Sequence, residues 1–285
     1  MNFWEKVLQL LDAEMKTPEL YGWFHILFLT LTVFTTILLC VRGKDDSPRR
    51  VNNLVFFTAV VVFVLEIYKQ INYSFSYGDG VRFDFQWYAF PFQFCSTPMY
   101  VGLLTGLFRK GRVQKALYAY LATYSVFAGL CVMVYPADVF VKTIGINIQT
   151  MICHGSMIAI GIYLLYTGAV KLEHRTLFGA MAVFSVAVGI AVVLNEIAYY
   201  SGLLETETFN MFFVSRHCDP SLPVYSLVQA VVPYPWCLIV YIWGFTSASY
   251  LLLLLAMAVK QLASLLRHST EKGKLTVRKI NSPLS

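Results

Sequence analysis

Seven runs of about 20 apolar residues, spaced along nearly the whole chain, constrain this protein more than any other feature. A bilayer core about 30 Å thick needs ~20 such residues in a helix. The runs fall at roughly 22–41, 53–75, 86–108, 115–135, 146–168, 176–200 and 235–262. Of the 285 residues 58% are hydrophobic and 13% charged, against about 25% charged in soluble domains. The expected fold is therefore all-α, a polytopic bundle of seven transmembrane helices forming one domain over 1–265. A polar, basic cytoplasmic tail without regular structure is expected over 266–285. Asn2 to Asp12 reads as a short amphipathic helix at the membrane surface, with Phe3, Trp4, Val7, Leu8 and Leu11 on one face. Met1 to Leu20 carries charges throughout and lacks the apolar core of a signal peptide.

The net charge of +6 follows topology rather than nucleic-acid binding. Arg42, Lys44, Arg49 and Arg50 lie between runs one and two, and Arg109, Lys110, Arg112 and Lys115 between three and four. Lys171 and Arg175 separate five and six, and six more basic residues follow run seven from Lys260 onward. The other side holds only Lys6, Lys16, Lys69, Arg82, Lys142 and Arg216. Basic loops stay in the cytoplasm, so the expected orientation is N-terminus outside and C-terminus inside. The six cysteines show no Cys-x-x-Cys and no zinc spacing, so no metal or cofactor is expected. Cys218 and Cys237 lie near one membrane face, where a disulfide could join them.

The third run, QWYAFPFQFCSTPMYVGLLTGLFR, sets Pro91 and Pro98 on either side of Cys95. Each proline removes a backbone donor, so the carbonyls of Trp87 and Phe94 lose helical partners, and in lipid protein groups or a polar pocket must replace them. By the rise of 1.5 Å per residue, Cys95 lies about 13 Å below the outer surface and His154, in run five, about 12 Å. Glu66 in run two is at about 13 Å, with Asn195 and Glu196 shallower. Ionisable groups at such depth are functional candidates. A thiol and an imidazole at one level suit nucleophilic acyl transfer, the imidazole taking the thiol proton. Gln93, Asn147, Asn195 and Asn210 are candidate oxyanion donors, with Glu66 as a further pocket residue. The same residues also fit a plainer reading: an inert packing cysteine, an interhelical histidine, Glu66 paired with Lys69, and His25, Tyr234 and Trp236 as interfacial anchors. Cys153, 100° around the helix from His154, is a poor partner for the same site. Gly102 and Gly106 form a small-xxx-small pair for close helix approach.

FPFQFCSTPMYVGLL, MICHGSMIAIGIYLLY and FNMFF followed by VPYPW together resemble the transmembrane protein 164 family and its bacterial YwaF-type relatives. The Cys95–His154 interval fits as well. Gln93 stands where bacterial members often have histidine, and VPYPW replaces Gly-Pro-Trp. The resemblance implies an integral multi-pass protein of the plasma membrane if bacterial, or of an endomembrane if eukaryotic. It implies a coenzyme-A-independent acyltransferase passing a fatty acyl group from a phospholipid to a lysophospholipid, of the ether phosphatidylethanolamine type. Cys95 would carry the acyl group as a thioester and His154 would be the base. A membrane lipid hydrolase is the neighbouring chemistry. From another class, a seven-span receptor or ligand-binding module shares the topology but lacks a cytoplasmic coupling motif. A transporter would show repeats and broken helices in both halves. A lipid substrate calls for a lateral opening, expected between spans three and five or three and seven.

Overall fold

The computed structural model describes residues 3–78, 80–204, 207–219 and 222–280, the last fourteen as helix backbone alone. Helix α1 (Phe3–Leu11) is followed by α2 (Trp23–Arg42) and α3 (Pro48–Asn72). Ser47 caps α3 by accepting from Arg50 N, with Pro48 in the first turn, where its missing donor costs nothing. A two-stranded hairpin, β1 (Phe75–Ser76) with β2 (Arg82–Phe83), pairs Phe75 with Phe83. Then come α4 (Thr97–Leu107), α5 (Gly111–Tyr120), a π-helical turn (Leu121–Ser125), α6 (Val126–Val134), α7 (Ile144–Tyr166), α8 (Thr176–Tyr200), α9 (Pro223–Val231) and α10 (Trp236–Ile280). The all-α membrane bundle is thus observed, and α10 continues as helix into the tail, for which no regular structure was expected.

Six helices are long and apolar enough to cross a membrane: α2, α3, the continuous α5–α6, α7, α8 and α10 as far as Leu266. Each matches an expected span to within a few residues. The expected helix over 86–108 is the exception. Its first half is a 3₁₀ turn at Trp87–Ala89 followed by irregular chain, and helix begins only at Thr97. Proline explains the break: Phe90, before Pro91, sits at φ −48°, ψ 135°, the extended conformation that a following proline imposes. α4 still runs beside α3 (Pro48–Asn72) from the Glu66 level towards Asn52. A Cβ on Gly102 would come within 2.7 Å of the Ala59 Cβ, and one on Gly106 within 2.6 Å of the Phe56 ring. The small pair does what its spacing announced.

α5–α6 and α7 form the middle of the bundle. In each, 72% of the most apolar stretch is buried, against 11% in α2, whose surface is left for lipid. The core is aromatic: Tyr124 stacks on Phe184 with centroids 4.5 Å apart, and Tyr241 meets Phe245 at 4.6 Å. Phe3, Trp4 and Leu10 of α1 are exposed, while its Glu5 is buried and accepts from Gly80 N at 2.9 Å. His25 is no interfacial residue. It is fully buried, accepts Tyr21 N–H on Nδ1 and donates from Nε2 to Met133 O at 2.8 Å, tying α2 to the end of α6.

Candidate active site

The irregular approach to α4 is held by side chains that take up its stranded carbonyls. Gln70 of α3 donates to Ala89 O at 2.8 Å, and Tyr100 of α4 donates to Pro91 O at 2.7 Å. The carbonyl of Trp87 is satisfied locally by Phe90 N. Gln93 O then accepts from Ser96 N, Thr97 N and the Thr97 hydroxyl, closing a turn with Cys95 at its apex, immediately before α4. The backbone N–H groups of Phe94 and Cys95 donate no hydrogen bond among the described residues.

His154 is buried in α7 (Ile144–Tyr166). Its Nδ1 lies 2.7 Å from Thr150 O. A carbonyl only accepts, so Nδ1 carries the proton and Nε2 presents a lone pair. That Nε2 is buried without a hydrogen-bond partner among the described residues. Cys95 and His154 line one cavity of about 790 Å³, with largely apolar walls from Phe94, Phe127, Tyr241 and Phe245. Gln93 and Asn210 line it too. Asn210 Oδ1 accepts from Ser215 N, and its amide donor makes no bond among the described residues. Gln93 accepts from Phe212 N at 3.3 Å and makes only a long contact to Tyr88 O at 3.5 Å.

Three of the expected pocket residues lie elsewhere. Glu66 does not line the cavity; it is buried, accepting from Lys69 and Gln70 at 2.9 Å each and from Gln149 at 3.2 Å. Asn147 clamps the Val141 amide through both ends of its side chain. Asn195 does the same to Met211. All three amide or carboxylate groups are consumed by structure, because a buried polar group is costly unless paired. Cys153 faces Cys95 from the other side: its Sγ is 3.9 Å from Cys95 O, and it lines a separate small cavity. No Cys218–Cys237 disulfide forms. Cys218 approaches Phe209 O, and Cys237 accepts from the Tyr225 hydroxyl.

The segment bearing Asn210 was visible in the sequence only as FNMFF. Phe212 and Phe213 both adopt left-handed backbone, at φ 57° and 58°. Two adjacent bulky residues there are strained. The strain is held by the Asn195 clamp, by Gln93 and by the Tyr241 hydroxyl, which donates to Phe212 O at 2.8 Å. Past it, Arg216 forms a forked pair with Glu196, which raises the guanidinium pKa.

The proline-bracketed cysteine, the histidine on α7 and the FNMFF turn, which the fold gathers at one cavity, are the three motifs of the resemblance. A family model, the TMEM164 family, matches residues 20–258. The chain belongs to the TMEM164 family. The match takes in every element of this site, five of the six long apolar helices in full and α10 as far as residue 258. No curated protein and no solved structure matches the chain. As a TMEM164-family protein with six long apolar helices, it is an integral multi-pass membrane protein.

The cavity is lined from run three (Phe94, Cys95), run five (His154) and run seven (Tyr241, Phe245), the segments between which a lipid entrance was expected, and also by Phe127, Cys131 and Val132 of α6 (Val126–Val134). Cys131 is exposed.

Proposed function

We propose that this protein is a membrane-embedded acyltransferase that moves a fatty acyl group from a phospholipid to a lysophospholipid through a thioester on Cys95. The observation that carries the reading is the shared cavity, whose lining includes both Cys95 and His154, the latter with a buried Nε2 that has no partner among the described residues. The apolar walls suit an acyl chain, and no soluble carrier is needed. His154 Nε2 takes the Cys95 proton as the sulfur attacks the donor's ester carbonyl. Negative charge grows on the carbonyl oxygen, where Asn210 and the free N–H groups of Phe94 and Cys95 are the available donors. The intermediate collapses, the C–O bond breaks, and the departing lysophospholipid oxygen takes the proton back from His154. In the second half His154 deprotonates the acceptor's hydroxyl, which attacks the thioester and releases the thiol. Thr150 holds the imidazole in the tautomer both halves require.

Intact mass of the purified protein, after incubation with a phospholipid, tests the reading directly. An acyl increment on Cys95 that disappears on adding lysophospholipid supports transfer. Disappearance in water alone, with free fatty acid formed, supports a hydrolase instead. No increment under any condition overturns the nucleophile.

A further inference from the structure

Several threonines inside these helices satisfy their hydroxyls on the carbonyl four residues back. Thr123 bonds Ala119 O at 2.7 Å, Thr30 bonds Ile26 O and Thr246 bonds Ile242 O. Ser125 departs from this habit. It closes the π-helical turn between α5 and α6, is 1% exposed, and its hydroxyl has no partner among the described residues. Leaving a buried hydroxyl unpaired is costly, so something must meet it. A π turn inserts one residue into the helical ladder and is frequent at functional sites.

Ser125 borders a small cavity of about 30 Å³ between α3, α4, the π turn and α7. Cys95 borders the same space, beside Thr58, Cys153 and Ser156. The hydroxyl of Thr58 also makes no hydrogen bond among the described residues, whereas Ser156 donates to Cys153 O. A water requires about 10–15 Å³ of such volume and two to four polar partners. The space holds it, and Ser125, Thr58 and the Cys95 sulfur supply the partners. The Cys153 thiol and the Ser156 hydroxyl at its edge donate to Cys95 O and Cys153 O, and the remaining groups are alkyl or thioether, so a cation or a larger ligand finds no match.

We propose that this cavity is a water site, in which a water held by Ser125 and Thr58 donates a hydrogen bond to the Cys95 sulfur. Cys95 therefore has two environments: the large cavity with His154 Nε2, which removes the proton, and the small one, which solvates the anion left behind. Ser125 is a positioning residue acting through the water, and the π turn is the device that brings it there. The inference rests on the acyltransferase reading only for its consequence in catalysis, since solvation of a thiolate shows in any reaction of that thiol.

The test uses the full-length protein and a small alkylating agent, iodoacetamide, with modification of the Cys95 peptide followed by mass. Ser125→Ala should slow alkylation at neutral pH by roughly tenfold, the order expected for losing one hydrogen bond to a charged group. The rate should recover when the medium is alkaline enough to ionise the thiol. Ser125→Thr, which keeps a hydroxyl, should restore most of the neutral rate, and Thr58→Val should slow it as Ser125→Ala does. If Ser125→Ala does not fold, Thr58→Val carries the comparison alone. Wild-type rates in these variants, with a raised melting temperature from removal of an unpaired hydroxyl, would overturn the water site. Slowed alkylation in a protein that never becomes acylated would leave the water site standing and remove the acyltransferase.

Discussion

At the scale of single residues, what separates a catalytic pair from a packing pair is where the cost of a substitution appears. Cys95→Ala should abolish acyl transfer and leave the melting temperature nearly unchanged, because one half-buried sulfur contributes little packing. Cys95→Ser should be almost as inactive, an alcohol being a far weaker nucleophile at neutral pH. His154→Ala should lower transfer by about 10²–10⁴-fold, and adding it to Cys95→Ala should cost nothing more, since the two act as a unit. Asn210→Ala should cost up to about 10²-fold if its free amide meets the oxyanion. Glu66→Gln should behave in the opposite way. It leaves Lys69 buried beside a neutral partner, at about 3–5 kcal/mol in stability, while acylation of Cys95 persists in the fraction that folds. Lysophospholipid acylation and a melting curve on each variant check all five.

At the scale of elements, the broken third apolar run and the strained FNMFF turn do for the site what regular helices could not do. A regular helix over 86–108 would bury Cys95 mid-ladder. The irregular approach instead leaves the thiol at the start of α4, beside free N–H groups. The turn opposite it depends on Asn195, so Asn195→Ala should destabilise by about 1–3 kcal/mol by stranding both polar groups of Met211. It should lower acyl transfer as well, because Asn210 and Phe212 lose their support. Hydrogen exchange at 207–219, compared between variant and wild type, reads this directly: unchanged protection would refute the clamp. The cavity wall between α6 and α10 gives a second expectation. A bulky Cys131→Trp should slow transfer from long-chain phospholipids more than alkylation of Cys95 by iodoacetamide, if acyl chains enter there.

At the scale of the whole molecule, central α5–α6 and α7 are enclosed while α2, α8 and α10 keep broad apolar surfaces outward. That is the burial order of a bundle in lipid, where outer faces need no polar cover. The distribution of Lys and Arg sets the expected orientation. A reporter tag at the N-terminus should be protease-accessible from outside intact cells or from the lumen, and one at the C-terminus from the cytoplasm. Reversal of that pattern would invalidate the N-out assignment.

Apolar runs and basic loops were enough to specify an all-α membrane bundle and nearly all of its helix limits, because a span's length and composition are demanded by the bilayer and need no tertiary partner. The local rule for proline likewise announced that something unusual happens around Cys95, and helical rise placed Cys95 and His154 at one depth. Depth is a one-dimensional quantity. Which way each polar group turns around its helix, and what it meets, depends on packing between segments distant in the chain. So Gln93 and Asn210 border the cavity, while Glu66, Asn147 and Asn195, equally polar in the sequence, are spent on Lys69, Val141 and Met211. His25 was misread as interfacial for the same reason: its partner, Met133 O, lies 108 residues away. The left-handed pair at Phe212 and Phe213 and the π turn at Ser125 have no local signature, since aromatic residues and a lone serine favour neither. Only the surrounding bundle, by supplying hydrogen bonds from three other segments, makes the strained turn the lowest state available to that stretch of chain.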